Sequence, residues 1–109
     1  MAFNATLEMD KDIAKVTLLG ELDASSATLF KTTVEQAAAH QPKELVLFMQ
    51  DLEYMASAGL RVLIFAKQKM GSEVDIYVVA PQEMVLDTLN KTGFAQSVFI
   101  VEEYEVAQV

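Results

Sequence analysis

The chain has 109 residues, of which 52% are hydrophobic and 22% are charged. This length and composition are typical of one globular domain, expected to span residues 1–109, and the charged fraction argues against a disordered chain. The longest apolar run, Leu45–Met49, is far shorter than the ~20 residues of a membrane-spanning helix. The N-terminus lacks the basic and apolar segments of a secretory signal, so a soluble cytoplasmic protein is expected.

The formal net charge is −8, from 16 acidic and 8 basic residues. A field of this sign repels phosphate backbones and anionic lipid surfaces, so neither a nucleic acid nor a membrane is an expected partner. A partner protein with a basic face would be attracted instead. Because cysteine is absent, disulfides, thiolate nucleophiles and cysteine metal sites are excluded together.

Hydrophobic periodicity predicts two strands followed by alternating helices and strands. Apolar and polar residues alternate in Phe3–Met9 and in Ala14–Leu18, and the short turn between them predicts an antiparallel hairpin. The remaining predicted elements are a helix from Ala24 to Ala39, a strand over Glu44–Met49, a helix from Ala58 to Met70, a strand over Val74–Val78, a helix over Gln82–Asn90 and a strand over Ser97–Ile100.

Residues at the ends of these elements carry their own signals. Asp23 is the predicted N-cap of the first helix, and Gly71 is the predicted C-cap of the second. Pro81 is predicted in the first turn of the third helix. The acidic tail from Glu102 is predicted to be either a short helix or frayed.

The order of elements predicts an α/β fold. We expect a mixed β-sheet with an N-terminal antiparallel hairpin, parallel later strands joined by right-handed crossovers, and helices packed against it. The nearly continuous apolar strand Glu44–Met49 predicts that both of its faces are covered. Ser57 then follows the carboxyl end of a central strand, where ligands of open α/β sheets gather.

Ser57 is the only hydroxyl residue in the small-residue stretch Ala56-Ser57-Ala58-Gly59. Catalysis by this serine is poorly supported, because a nucleophile needs a base and the only histidine, His40, lies at the far end of the first predicted helix. The G-x-S-x-G turn, the nucleotide-phosphate loops and the spacings of metal ligands are also missing from the sequence.

Two other roles for Ser57 stay open from this stretch alone. As the N-cap of its helix, the serine would need no function, although a cap does not explain the small neighbours. As a phosphorylation switch, it would place an anion at a helix N-terminus, with Arg61 one turn further on. Small neighbours would then allow another protein to approach closely.

Three segments of the sequence are similar to a known family. LGELDASSATLF, DLEYMASAGLRVLIFAKQ and LNKTGFAQSVFIV, in this order, resemble the anti-sigma factor antagonists, which are small single-domain members of the STAS family. The resemblance covers essentially the whole chain, and the middle segment is its most specific part.

The resemblance implies a cycle of phosphorylation and partner exchange. In this family the serine matching Ser57 is phosphorylated by a partner serine kinase that is also the anti-sigma factor. The unphosphorylated form binds that kinase and frees the sigma factor, and a PP2C-type phosphatase restores the serine. ATP belongs to the kinase, so no cofactor is expected in this chain.

The resemblance also implies a docking face, with two departures from the family pattern. Its expected residues are Glu21, Asp23, Tyr54, Met55, Ala56, Ala58, Gly59 and Arg61, with Met55 exposed for contact. The family commonly has an acid before the serine, where this chain has Ala56, and a serine or threonine after it, where this chain has Ala58. We expect the missing acid to change which kinase acts, or how fast, and the missing hydroxyl to leave Ser57 as the sole acceptor.

The sequence therefore predicts a non-enzymatic docking protein, monomeric when free, that regulates transcription by partner switching. The alternative keeps the fold and changes the partner: a STAS docking subunit of another kinase–phosphatase signalling complex without a sigma factor.

Overall fold

The computed structural model describes residues 2–104 of the chain. These residues form a five-stranded mixed β-sheet with helices packed on it. Its elements are β1 (Asn4–Asp10), β2 (Ile13–Leu22), α1 (Ala27–Ala39), β3 (Glu44–Met55), α2 (Ser57–Met70), β4 (Asp75–Val79), α3 (Glu83–Lys91), a 3₁₀ helix (Phe94–Ser97) and β5 (Phe99–Val101). The strands lie in the order β1-β2-β3-β4-β5, with β1 antiparallel to β2 and the later pairs parallel. The predicted α/β fold with an N-terminal hairpin is confirmed.

The three α-helices share one hydrophobic core with one face of the sheet, here called the inner face. Alternating strand residues point into this core because side chains in a strand alternate between the two faces. The inner-face residues are Ala14, Val16, Leu18, Leu45, Leu47, Met49, Ile76 and Val78, and they cluster with Phe30 and Val34 of α1, Leu60 and Leu63 of α2, and Val85 and Leu89 of α3. None of the helices within the described residues is long and apolar enough to cross a bilayer.

The opposite, outer face of the sheet has no α-helix on it within residues 2–104. Val46 and Val79 are buried there, outside the main core, and Phe48 is half-buried. The expectation that both faces of β3 are covered is therefore only partly right. Tyr104, from the segment after β5, contributes to the cover by packing its ring edge-on against Tyr77.

β3 is longer than predicted and ends at Met55 instead of Met49. Its second half pairs with β2 through Leu19↔Asp51, Gly20↔Leu52 and Leu22↔Met55, with register shifts on either side of the Leu19–Gly20 pair of residues. Gly20 has φ +85, a left-handed conformation that glycine adopts without steric cost, and this allows the irregularity. The polar residues of this half face away from the core, which is why the sequence resembles a turn.

Helix starts differ from the prediction at two places. α1 begins at Ala27 instead of Ala24, and its N-cap is Ser26, so the assignment of Asp23 as N-cap is wrong. α3 begins at Glu83 with Gln82 as N-cap, so Pro81 precedes the helix instead of lying in its first turn.

The end of the chain also differs in detail. The predicted C-cap of α2 is confirmed, since Gly71 caps the helix with φ +85. The last strand is Phe99–Val101, and part of the segment predicted as strand is the 3₁₀ helix Phe94–Ser97. Glu102–Tyr104 is not helical, and the rest of the tail lies outside the described residues.

Candidate functional site

The ends of β2 and β3 meet beside the first turn of α2. Glu21 pairs with Tyr54 and Leu22 with Met55, and the Ala56 N–H then donates a hydrogen bond of 2.8 Å to the Leu22 carbonyl. One surface therefore carries the residues that follow both strands, although they are more than thirty positions apart in sequence.

Ser57 is the first residue of α2 and is exposed. The N-cap is Ala56, with φ −82 and ψ 169, and no side chain caps the helix, so the interpretation of Ser57 as N-cap is wrong. The Ala56 carbonyl accepts from the N–H groups of Gly59 and Leu60 at 3.0 and 3.1 Å. The Ser57 hydroxyl thus contributes nothing to capping α2, and the first N–H groups of the helix have no partner within it.

Internal packing, and not partner access, explains the glycine of this stretch. Gly59 is buried, and a Cβ at this position would lie 2.6 and 2.7 Å from the Leu22 side chain and 3.2 Å from that of Met55. Met55 is itself only 4% exposed, so its expected exposure for contact is wrong. Gly59 and Met55 therefore lie beneath the exposed surface around Ser57, whereas Ala56 and Ala58 are half-buried beside it.

An exposed stripe runs along α2 from Ser57 through Arg61 and Ile64 to Gln68. Residues at this spacing lie on one helix face, because each residue turns the helix by about 100°. The helical periodicity of the sequence predicts Ile64 on one apolar stripe with Leu60 and Leu63, but Ile64 is 42% exposed, so this prediction is wrong. The same angular argument, applied to the buried set centred on Leu63, would have placed Ile64 beside Ser57.

Tyr54 and Glu21 extend this surface onto the sheet. Tyr54 is 42% exposed at the end of β3, and Glu21 is exposed beside it in β2. From here on the name docking face, after the role that the sequence predicts, is kept for Glu21, Asp23, Tyr54, Ser57, Arg61 and Ile64, since Met55 and Gly59 are buried. The sequence predicted all of these except Ile64.

Asp23 organises the turn between β2 and α1. Its carboxylate Oδ1 accepts hydrogen bonds from the backbone N–H groups and the hydroxyls of Ser25 and Ser26, at 2.7–3.1 Å. These bonds, led by those from the two serine hydroxyls, hold the pKa of Asp23 below its ordinary value of 3.8. Asp23 therefore remains a fixed negative charge on the docking face, and it stabilises the turn before the helix instead of capping the helix itself.

His40 lies at the end of α1 that is remote from this turn. It is the C-cap of α1, whose 13 residues span about 20 Å from the end near Asp23. This distance excludes His40 as the base that a nucleophilic Ser57 would need. Among residues 2–104, no group of His, Asp or Glu side chains could hold a metal ion.

A comparison with protein families matches residues 4–107 to the STAS domain. The chain belongs to the STAS domain family. This match confirms the resemblance to the STAS family found in the sequence.

Relatives of this STAS chain are described as anti-sigma factor antagonists. It is 27% identical over 79 residues to the anti-sigma-F factor antagonist RsfB of Mycobacterium tuberculosis, a match that covers 72% of this chain. The match spans 65% of RsfB, which is slightly less than two thirds of that protein.

Solved structures show the same fold. An anti-sigma factor antagonist from Mycobacterium paratuberculosis superposes with a TM-score of 0.86 at 22% identity, covering 94% of this chain and 87% of that one. The antagonist SpoIIAA in its unphosphorylated form gives a TM-score of 0.78 at 16% identity, covering 92% and 90%. The phosphorylated form of SpoIIAA from Bacillus gives 0.71 at 15% identity, covering 92% and 93%.

Substituting Ala56 with Asp should stabilise this STAS domain by about 1 kcal/mol. Ala56 already has the extended backbone of an N-cap, so a carboxylate there can accept from the uncapped N–H groups of α2. Urea unfolding measures the gain. The uncharged Ala56→Asn should give a similar gain through the same hydrogen bond, and Ala56→Val should give none; a loss of stability in both capped variants would contradict the assignment.

Substituting Gly59 with Ala should destabilise the domain by about 1–3 kcal/mol, because the new methyl group overlaps Leu22. Removing the obstacle should relieve this strain. We therefore expect Leu22→Ala to cost less in the Gly59→Ala background than in the natural protein, with a coupling above about 0.5 kcal/mol in a double-mutant cycle. Gly59→Ala combined with Leu89→Ala in α3 is the additive control.

Asp23 should titrate below pH 3.8 in the folded protein, as followed by NMR of its carboxyl carbon. A lowered pKa means that this group stabilises the fold above its unfolded pKa, and that the contribution is lost as the pH falls through the folded pKa. In Ser25→Ala/Ser26→Ala the pKa should move up toward 3.8, because the hydroxyl donors are removed. An Asp23 pKa at or above 3.8 in the natural protein would contradict this account.

Proposed function

We propose that this STAS chain is an anti-sigma factor antagonist that binds a partner anti-sigma factor through the docking face and is released when Ser57 is phosphorylated. The observation that carries the proposal is the position of Ser57: an exposed hydroxyl on the first residue of α2 that does not cap the helix. Neither catalysis nor capping accounts for this serine, and a role in recognition does.

The start of α2 suits a phosphoryl group on Ser57. The first N–H groups of the helix lack intrahelical partners, and the helix dipole favours an anion at this end. Arg61, one turn further on the same face, offers a cation. The fold would therefore tolerate the modification, and its effect would fall on the partner.

The size of the added charge favours an effect of phosphorylation at the interface over an effect on the electrostatic field of the whole protein. A phosphoryl group adds about −1.5 to −2 charges, to a protein that already carries −8. Within a close-fitting interface, however, an opposing charge costs several kcal/mol. Since ~1.4 kcal/mol changes affinity tenfold, about 3 kcal/mol would weaken the complex about a hundredfold.

The relatives support this assignment of partner. RsfB is named as an anti-sigma-F factor antagonist, and SpoIIAA has been solved in a phosphorylated form. In this proposal the chain is a single regulatory domain over residues 1–109, acts in the cytoplasm and is not an enzyme. The partner serine kinase binds ATP and transfers its terminal phosphoryl group to Ser57, and a PP2C-type phosphatase restores the hydroxyl by hydrolysis.

One observation favours a second candidate, a docking subunit of another kinase–phosphatase complex without a sigma factor. Ala56 and Ala58 flank Ser57 where the family commonly has an acid and a hydroxyl residue. A kinase that recognises this loop must therefore accept a less polar site, and that kinase need not be an anti-sigma factor.

The decisive experiment measures binding of a purified anti-sigma factor from the source organism to variants of Ser57. We expect Ser57→Ala to bind like the natural protein and Ser57→Glu to bind about a hundredfold more weakly. Ser72→Glu is the matched control, because it adds the same charge at an exposed position beyond the far end of α2 and should bind normally.

Intact-mass measurement after incubation with the kinase and ATP completes the test. A single phosphoryl addition, absent in Ser57→Ala, is expected. Strong binding of a serine kinase without any sigma-factor activity would favour the second candidate. Equal binding by Ser57→Glu and Ser72→Glu would refute control at Ser57.

A further inference from the structure

A groove on the outer face of the sheet lies away from the docking face. Phe48 of β3 and Val79 of β4 pair in register and form its floor. Gln50 and Ala80 line one part of it, and Glu102, Glu103 and Tyr104 line another; the groove is open to solvent and has a volume of about 530 Å³. We call this space the outer groove.

The wall contributed by Glu102–Tyr104 is held in place at both ends. At one end the Ala80 N–H donates to the Val101 carbonyl at 2.8 Å, which fixes the chain as it leaves β5. At the other end the Tyr104 ring packs edge-on against Tyr77, with centroids 5.2 Å apart, and its hydroxyl donates to the Glu44 carboxylate. Burial and the adjacent Glu44 raise the pKa of Tyr104, so the hydroxyl keeps its proton and remains a donor.

The groove combines an apolar floor with an acidic wall. Val79 is 3% exposed and Phe48 is half-buried, whereas the Glu102 and Glu103 side chains are exposed. This combination complements lysine and arginine, whose aliphatic stems pack on apolar surface while their charged ends stay near water or a carboxylate. The net charge of −8 would also attract a basic partner over a distance.

We propose that the outer groove is a second docking site, which takes a lysine or arginine side chain from a basic segment of a partner protein. The stem lies on Phe48, next to the nearly buried Val79, and the charged end contacts Glu102 and Glu103. The groove is on the outer face, whereas α2 and Ser57 are on the inner side, so this interaction is independent of the proposed function.

The test uses an acetylated peptide amide of four lysine–alanine repeats, titrated into the 15N-labelled protein and followed by NMR. We expect shift changes at Phe48, Val79, Glu102 and Glu103. Glu102→Gln/Glu103→Gln should weaken binding about fivefold to tenfold, because two carboxylate contacts are lost. The corresponding glutamate–alanine peptide should not bind.

A matched variant distinguishes the effect of the groove on peptide affinity from the effect of the overall net charge. Glu35→Gln/Glu73→Gln removes the same two charges from exposed positions outside the groove and should change affinity less than about twofold. Tyr104→Ala, which frees the wall, should weaken binding as well. If both glutamine pairs weaken binding equally, or the groove signals do not move at millimolar peptide, the proposal is overturned.

Discussion

The contact between Leu22 and Gly59 is the constraint on which the docking face depends. A glycine there lets the end of β2 press against the first turn of α2, while the hydrogen bond from Ala56 N–H to the Leu22 carbonyl aligns β2 with the end of β3. Two segments that are distant in sequence thereby meet on one surface, one carrying Asp23 and the other carrying Tyr54 and Ser57. A bulkier residue at position 59 would force the helix away from the strand and move Ser57 relative to the other two.

The start of α2 is less stable than it would be with a capping side chain at its N-cap. A Ser, Asp or Asn at the N-cap contributes about 1 kcal/mol, yet the cap is Ala56 and the serine comes one residue later. The domain tolerates this loss because buried residues of α2, including Leu60 and Leu63, attach the helix to the core. A local choice that lowers stability and leaves a hydroxyl exposed is typical of a functional position.

Hydrophobic periodicity was sufficient to predict the order of elements and the mixed sheet, because the core-facing residues alternate in strands and recur every three or four positions in helices. It could not predict the extension of β3 through Asp51, because polar residues facing away from the core resemble a turn and the pairing depends on a bulge at Gly20. The role of Asp23 was missed in part, since its hydrogen bonds to Ser25 and Ser26 favour a turn over the expected cap. Most residues of the docking face could be predicted from the family motif. Ile64 could not, because its exposure depends on how α2 is oriented when it packs on the core.

The two faces of the sheet differ in how heavily they are covered. The inner face is covered by three helices and holds fully buried residues such as Leu47 and Val78, whose truncation would leave cavities. The outer face is covered within the described residues by a short segment with one aromatic anchor, Tyr104. Changes in exposed outer-face residues should cost little folding energy, so charge and shape there can vary without loss of the fold. The two proposed binding surfaces therefore depend on different parts of the fold: the geometry of the docking face is fixed by the core beneath it, and that of the outer groove by Tyr104.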